Sequence, residues 1–369
     1  MSQTKAQLVS GTNAQDLTVD NINTTSINSG QASGNKNLVI NGSQIIDQRN
    51  SGSAVTVNNA TITHISDRFS IYEDTDGVVS AQQSTTAPDG FTKSLKIDCT
   101  TADTSLAASQ RLLCEHRIEG NNIAHLGFGS SAAKTITLSF YVRSNLTGTF
   151  GGSIKNSANN RVYIFSYTIS SPDTWERKSI TIPGDTSGTW LTTNGTGITI
   201  NWGLALGSDW TGTAGSYGTS DKHGVTGQLN LLSSTDNEWL ITGVQLEVGS
   251  VATDFEHRKF SKELLLCQRY YIRYVQQACS GYIETSGANQ AQLTHQLPVS
   301  MRATPSATCT TASSIGVDRG GLYGINNTAG GINWIYENNL QVGWAMDTAR
   351  DRWHTTWCRV QNVQFSAEL

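Results

Sequence analysis

The segment Asp209-Trp210-Thr211-Gly212-Thr213-Ala214-Gly215-Ser216-Tyr217 sets two aromatic rings among small and hydroxylated residues. Rings in such a loop lack the period-two reason for burial that strand residues have, so exposure is expected. Pyranose sugars present C–H faces that pack on indole and phenol rings, while nearby polar groups read their hydroxyls. Trp190, in Gly188-Thr189-Trp190, is a further loop aromatic. Carbohydrate binding by Trp190, Trp210 and Tyr217 is therefore the expectation. Its alternative is that these rings pack beneath their loops or at a subunit interface. Trp202 and Trp239 sit among apolar strand residues and are expected in the core. The densest aromatic cluster is Trp334, Tyr336, Trp344, Trp353 and Trp357, and it fits an interface or core better than a host contact.

Catalysis finds little support. Glycoside hydrolysis needs two carboxylates flanking the scissile bond, at separations that a sequence does not supply. The close pairs are Asp74 with Asp76, Glu115 with Glu119, and Asp347 with Asp351, each in a turn-like or polar context that reads as solvated surface. No Gly-x-Ser-x-Gly elbow, P-loop or His-Glu-x-x-His motif occurs, and the seven histidines are dispersed. Glu73-Asp74-Thr75-Asp76-Gly77 begins like a calcium loop, yet no bidentate glutamate follows at the required spacing, so a hairpin turn is expected. The expectation is a protein that is not an enzyme and carries no cofactor, with no residue assignable to a metal.

Cys99, Cys114, Cys267, Cys279, Cys309 and Cys358 form no CxxC pair and no zinc-ligand pattern, and buried free thiols are expected. Net charge is −4 without a Lys/Arg cluster, which argues against a nucleic-acid groove. No apolar run reaches the roughly 20 residues that span a bilayer. The opening Met1-Ser2-Gln3-Thr4-Lys5 lacks the apolar core of a secretion signal, so synthesis and folding in a cytoplasm are expected.

These residues must be positioned by strands and turns. Charged residues make up 15% of the chain, against about 25% in typical domains, and Ser, Thr, Asn and Gly fill the difference. That mixture favours strands and turns, and nine tryptophans with eleven tyrosines argue against disorder. In Thr135–Arg143, Ile136, Leu138, Phe140 and Val142 alternate with polar residues, as in a half-buried antiparallel strand. Ile198–Leu206 repeats the pattern, and Phe91–Cys99 sets Phe91, Leu95, Ile97 and Cys99 on one face. Further strands are expected at Arg161–Ile169, Trp175–Ile182, Trp239–Val248, Tyr270–Val275, Gly331–Tyr336 and Trp357–Phe365. Turn chemistry such as Pro183-Gly184-Asp185 and Asn194-Gly195 separates them. A short helix is expected near Ser261–Arg269, with Ser261 as N-cap, as a hinge between two β domains. Residues 10–34 are Ser, Thr, Asn, Gln or Gly at 17 of 25 positions, too polar to build a core alone. The class is all-β and sandwich-like, with strand order open between immunoglobulin-like and jelly-roll arrangements.

Several segments resemble virion structural proteins of tailed bacteriophages that carry a carbohydrate-binding-module-like jelly roll. They are Asn37-Leu38-Val39-Ile40-Asn41-Gly42-Ser43 with Asp47-Gln48-Arg49, resembling a first strand, then Ser66-Asp67-Arg68-Phe69 and Asp173-Thr174-Trp175-Glu176-Arg177. The most specific is Ile241-Thr242-Gly243-Val244-Gln245-Leu246-Glu247-Val248-Gly249, followed by Phe255-Glu256-His257-Arg258 and Cys267-Gln268-Arg269-Tyr270-Tyr271. Leu297-Pro298-Val299-Ser300-Met301-Arg302-Ala303-Thr304-Pro305 resembles a C-terminal module of such proteins. The resemblance spans roughly residues 35–310 and rests on the order and spacing of short motifs.

What it implies is a particle component, often homotrimeric, mounted by its N-terminus, in which a structural calcium is possible. The expected architecture is an extended attachment segment at 1–34, a jelly-roll β-sandwich at 35–260, and a smaller C-terminal β domain at 261–369. The expected function is a tail-fibre or receptor-binding protein that adsorbs to host cell-surface polysaccharide through many weak contacts. Its partners would be copies of itself, other virion proteins through residues 1–34, and the host glycan, without nucleic acid or membrane insertion. The alternative is a purely structural virion protein, a capsid decoration or tail adaptor.

Overall fold

A computed structural model describes residues 35–58, 60–283, 290–295, 297–309, 340–345 and 355–369, with side chains described outside 276–296 and 307–363. Period-two alternation becomes two facing sheets. The first has the order β1 (Val55–Val57), β4 (Val78–Ser84), β5 (Ser94–Thr101), β15 (Glu238–Val248), β7 (Ile136–Ser144) and β10 (Glu176–Ile182). The second runs β13 (Tyr217–Gly218), β9 (Val162–Ile169), β8 (Gly148–Lys155), β11 (Thr196–Leu206), β6 (Arg111–Glu119), β3 (Phe69–Glu73) and β2 (Thr63–Ser66). Neighbours in both sheets are antiparallel. β12 (Thr211–Gly212) and β14 (Gly224–Val225) form a short parallel bridge in the loop after β11. The chain changes sheets from β1 to β2, β3 to β4, β5 to β6, β6 to β7, β7 to β8, β9 to β10 and β10 to β11, which is the jelly-roll crossing pattern.

Most of the residues expected to face inward do so. Ile136, Leu138, Phe140 and Val142 from one sheet meet Ile198, Ile200, Trp202 and Leu204 from the other, all fully buried or nearly so. Trp202 packs edge-on to Phe140 with centroids 5.8 Å apart, and the Trp239 indole N–H donates to the Tyr167 hydroxyl at 3.2 Å. Phe91 departs from its expected place. Strand β5 begins only at Ser94, and Leu95, Ile97 and Cys99 enter the core while Phe91 stays half-buried outside it. The reason is a turn in which the Phe91 N–H donates to Pro88 O at 3.0 Å and Gly90 takes φ +86°.

Asn37–Ser43, expected as a first strand, forms none. It is instead pinned along β15, where Leu38 N–H donates to Leu246 O and Val244 N–H donates to Gly42 O, each at 2.9 Å. The Gln245 carboxamide oxygen accepts from Glu256 N–H at 2.8 Å and Glu247 accepts from Thr253 N–H at 2.9 Å, tying down the chain that follows β15. The register of β15 against β7 shifts between Thr242 and Gln245, a bulge in which Gly243 adopts φ +62°. A Cβ there would lie 2.7 Å from Phe91 Cζ and 2.9 Å from Tyr141 Cδ2. Gly243→Ala is therefore expected to cost about 1–2 kcal/mol from the left-handed backbone alone. A urea titration showing no loss would mean the bulge can relax.

Helix α1 (Phe260–Gln268) follows, one residue earlier than expected at its start. Ser261 is not its N-cap. Lys259 holds that position without a side-chain cap, and Glu263 and Cys267 form the buried face while Leu265 is 43% exposed. Glu263 is drawn inward because it accepts from the Asn41 N–H and lies 3.3 Å from Arg258. A second β unit has the order β18 (Ser306–Cys309), β20 (Thr355–Ser366), β16 (Tyr271–Ile283), β17 (Gln290–His295) and β19 (Leu340–Ala345). Residues 1–34, the strand expected at Gly331–Tyr336, and Trp334, Asp347, Asp351 and Trp353 lie outside the described residues, as do the side chains of Trp344, Trp357, Cys279, Cys309 and Cys358. Cys99, Cys114 and Cys267 are free and buried, and burial pushes the Cys114 thiol well up.

Arginines join this unit to the sandwich. Arg269 grips Glu119 through Nε at 2.8 Å and Nη2 at 2.7 Å, and the Tyr270 hydroxyl donates to the same carboxylate at 2.8 Å. Arg302 donates to Ala367 O and Glu368 O at 2.7 Å and to Asn194 O at 2.8 Å. Glu368 accepts from Arg49 at 2.6 Å and from Arg68, whose guanidinium lies 3.7 Å over the Tyr270 ring.

Candidate functional site

The face of the seven-stranded sheet turned away from the core, with the loop 207–228 lying over it, holds most of the chemistry. Arg111 opens β6 and lies between two rings, 3.8 Å over Trp210 and 4.7 Å over Tyr72. Trp210 closes a 3-10 turn, Ser208–Trp210, and stays half-exposed. Its indole N–H donates to Ser109 O at 2.6 Å, which fixes the ring's orientation. The His223 ring sits 5.0 Å from it, and Arg111 Nη1 donates to His223 Nε2 at 2.9 Å. Burial, reinforced by Lys155, Arg111 and Lys222, lowers the His223 pKa to about 2, so the ring is neutral and accepts. Lys155 to Asp221 at 3.0 Å and Lys222 to Asp209 O at 2.6 Å strap the loop down.

The three ring candidates divide into two groups. Tyr217 lies against Tyr163 at 5.1 Å and Trp190 at 6.4 Å, and its hydroxyl donates to Pro183 O at 2.9 Å. Trp190 is 5% exposed, packed edge-on to Phe128 at 4.9 Å, with its indole N–H 3.2 Å from Asp185 Oδ2. The exposed ring expected at Trp190 is therefore not there. Asp185, held by a two-pronged Arg161 contact at 2.7 Å per bond, draws the indole under the loop. Trp190 braces Tyr217 from beneath, and Trp210 stands apart with Arg111.

A polar row passed over in the sequence crosses the same face. Ser70, Glu115, Asn201 and Ser153 stand opposite one another in register on β3, β6, β11 and β8. Asn201 is fully buried, donates to Ser153 Oγ at 3.3 Å, and leaves its Oδ1 without a partner among the described residues. The signal was present: Thr199 and Asn201 alternate with the apolar set of β11, and a polar outer face reads as solvated until a loop is known to cover it.

The carboxylate pairs among the described residues, Asp74 with Asp76 and Glu115 with Glu119, do not act together. Glu115 is matched by Arg117 at 2.7 Å and Glu119 by Arg269, so each has its own cation and no proton is shared. Burial alone would raise the Glu119 pKa, but Arg269, Tyr270 and Asn121 outweigh it and the net shift is downward. In the 73–77 turn, Glu73 accepts from Thr75 N–H at 2.7 Å, closing the turn as a hairpin, while Asp74 accepts from Arg111 N–H at 2.6 Å. Among the described residues no group of three or more His, Cys, Asp or Glu is placed to hold a metal.

No family model matches the sequence, and no curated protein matches it. Similar solved structures include the enzymatically active domain of tailspike protein 4 of bacteriophage CBA120, at 13% identity and TM-score 0.30, covering 58% of this chain and 22% of that one. A family 4 carbohydrate-binding module is 12% identical with TM-score 0.30, covering 57% of this chain and 99% of its own. A family 61 module in complex with β-1,4-galactotriose is 8% identical with TM-score 0.28, covering 58% and 100%.

Proposed function

We propose that the chain is a non-catalytic, glycan-binding component of a bacteriophage particle, acting in host adsorption. The observation that carries the glycan reading is Trp210: a half-exposed indole locked in orientation by Ser109 O and backed by Arg111. A pre-oriented ring loses little conformational freedom when a sugar stacks on it, and the neighbouring Lys222 and Asp209 supply polar contacts at the loop rim. The particle role rests on the ordered motifs of residues 35–310. Assembly as a homotrimer mounted through residues 1–34 belongs to the same proposal.

Binding to isolated host surface polysaccharide, measured by affinity electrophoresis, is expected to weaken about tenfold or more in Trp210→Ala, the loss of one good stacking contact. Unchanged retention would remove Trp210 from the site, and no adsorption to any susceptible host or its polysaccharide would end the glycan reading. A polysaccharide that shortens on incubation would show a depolymerase instead. One observation favours a purely structural role, as capsid decoration or tail adaptor: the polar atoms of Trp190, Trp210 and Tyr217 are all satisfied within the chain. Density for this chain buried between virion proteins in a cryo-EM map of the particle would decide for that role.

A further inference from the structure

The sandwich has a second aromatic surface, on the side opposite Trp210. Tyr141 lies on β7 between the core residues Phe140 and Val142, so alternation turns it outward from the six-stranded sheet. Phe91 stands 5.4 Å from it, Phe255 is 5.1 Å from Phe91, and His257 is 5.2 Å from Phe91 and 4.9 Å from Phe255. Phe91, Tyr141 and Phe255 are half-buried and His257 is exposed. The rings are held by backbone rather than by mutual packing alone. The Pro88–Phe91 turn places Phe91, Gln245 and Glu247 fix the segment carrying Phe255, and the Gly243 bulge leaves the room that Phe91 and Tyr141 occupy.

Two features separate this cluster from the loop aromatics. First, among the described residues neither the Tyr141 hydroxyl nor the His257 imidazole has a hydrogen-bond partner, whereas Trp190, Trp210 and Tyr217 have spent theirs. Second, the contacting rings are inclined at 42–64° around Phe91 and at 74° between Phe255 and His257. The inclined rings make an uneven aromatic patch with Phe91 at its centre, not a flat strip. A half-buried patch with free polar atoms at its edge suits one sugar ring, its C–H face against the aromatics and its hydroxyls at Tyr141 and His257. Arg177, opposite Tyr141 in register and exposed, donates to Thr253 O at 2.5 Å.

We propose that Phe91, Tyr141, Phe255 and His257 form a second glycan subsite that takes a single terminal or branch pyranose. The inference rests on the glycan-binding reading, and it makes each chain bivalent, with contacts on both outer faces of the sandwich.

The test uses the full chain and the polysaccharide retained by the unaltered protein, with methyl glycosides of its terminal sugars as NMR probes. Phe91→Ala is expected to weaken retention about tenfold with Trp210 intact, and Trp210→Ala with Phe91→Ala to abolish it. The glycosides are expected to perturb the His257 ring signals. Tyr141→Phe and His257→Gln, which largely preserve side-chain size, are expected to lose at least threefold each while unfolding at the unaltered temperature, so the result does not depend on Phe91→Ala folding. Full retention by Tyr141→Phe and His257→Gln, with loss in Trp210→Ala, overturns the second subsite and leaves the glycan reading standing. No retention of any polysaccharide by the unaltered protein overturns both.

Discussion

Glu368→Gln lowers the unfolding free energy by about 3–5 kcal/mol, the range for removing one partner of a buried ion pair. Arg68 has a side chain only 2% exposed, and its charge would be left with Arg117 O and the Tyr270 ring as neighbours. The pH dependence carries the same signature. Burial alone would raise the Glu368 pKa, but Arg68, His64 and Arg49 hold it down at about 2, against 4.5 for the free side chain. A depressed carboxylate stabilises the fold above its unfolded pKa, so this contribution is complete above about pH 4.5 and is lost as pH falls towards 2. Asp67 has the opposite sign: burial raises its pKa from 3.8 to about 6, so its contribution declines as pH rises through that window. Urea unfolding from pH 2 to 7 should therefore show a rise up to about pH 4.5 that is shallower in Glu368→Gln, where the lowered carboxylates such as Glu119 still contribute. Identical slopes in the two proteins below pH 4.5 would show that the contact does not hold in solution.

Trp202→Ala is expected to cost about 3–5 kcal/mol, since it empties the volume of one of the two fully buried tryptophans of the sandwich core. The side chain is fully buried, 5.8 Å from Phe140 and 6.4 Å from Phe69. Its indole N–H has no partner among the described residues. Trp202→Phe keeps most of the apolar contact and removes that unpaired donor, so its loss should be clearly smaller. Denaturant midpoints for the two variants check the ordering, and equal losses would show that filled volume does not set the cost at this position.

Much of the sandwich was legible because one face of each strand is buried. Ile136 to Val142 and Ile198 to Leu204 alternate cleanly, and the structure gives them the interior positions that alternation implies. Phe91 was misread because alternation was extended three residues past the start of β5, across a turn set by Gly90 at positive φ. Ser261 was misread as a cap because burial of Glu263, by Arg258 and the Asn41 N–H, fixes the helix start more strongly than a hydroxyl does. The candidate site was half legible. The sequence singles out Trp210, but Arg111 lies 99 positions earlier (210 minus 111) and only the β6–β11 pairing brings its strand beneath the loop. Trp190 reads as a loop aromatic, and nothing local reveals that Arg161 and Asp185 will draw it inward. The aromatic patch around Phe91 was invisible for the same reason: its rings come from three separated segments, and a bulge makes their meeting possible.

The grip of Arg49 and Arg68 on Glu368 spans 319 and 300 positions of sequence. A ribosome adds about 5–20 residues per second, so the two guanidiniums wait on the order of 15–60 s for their counter-charge. During that interval the strands around Arg68 can pair, yet the joint between the sandwich and the second β unit stays open and cationic. Closing that joint therefore has to wait until every strand of the sandwich has been made, although those strands can pair without it.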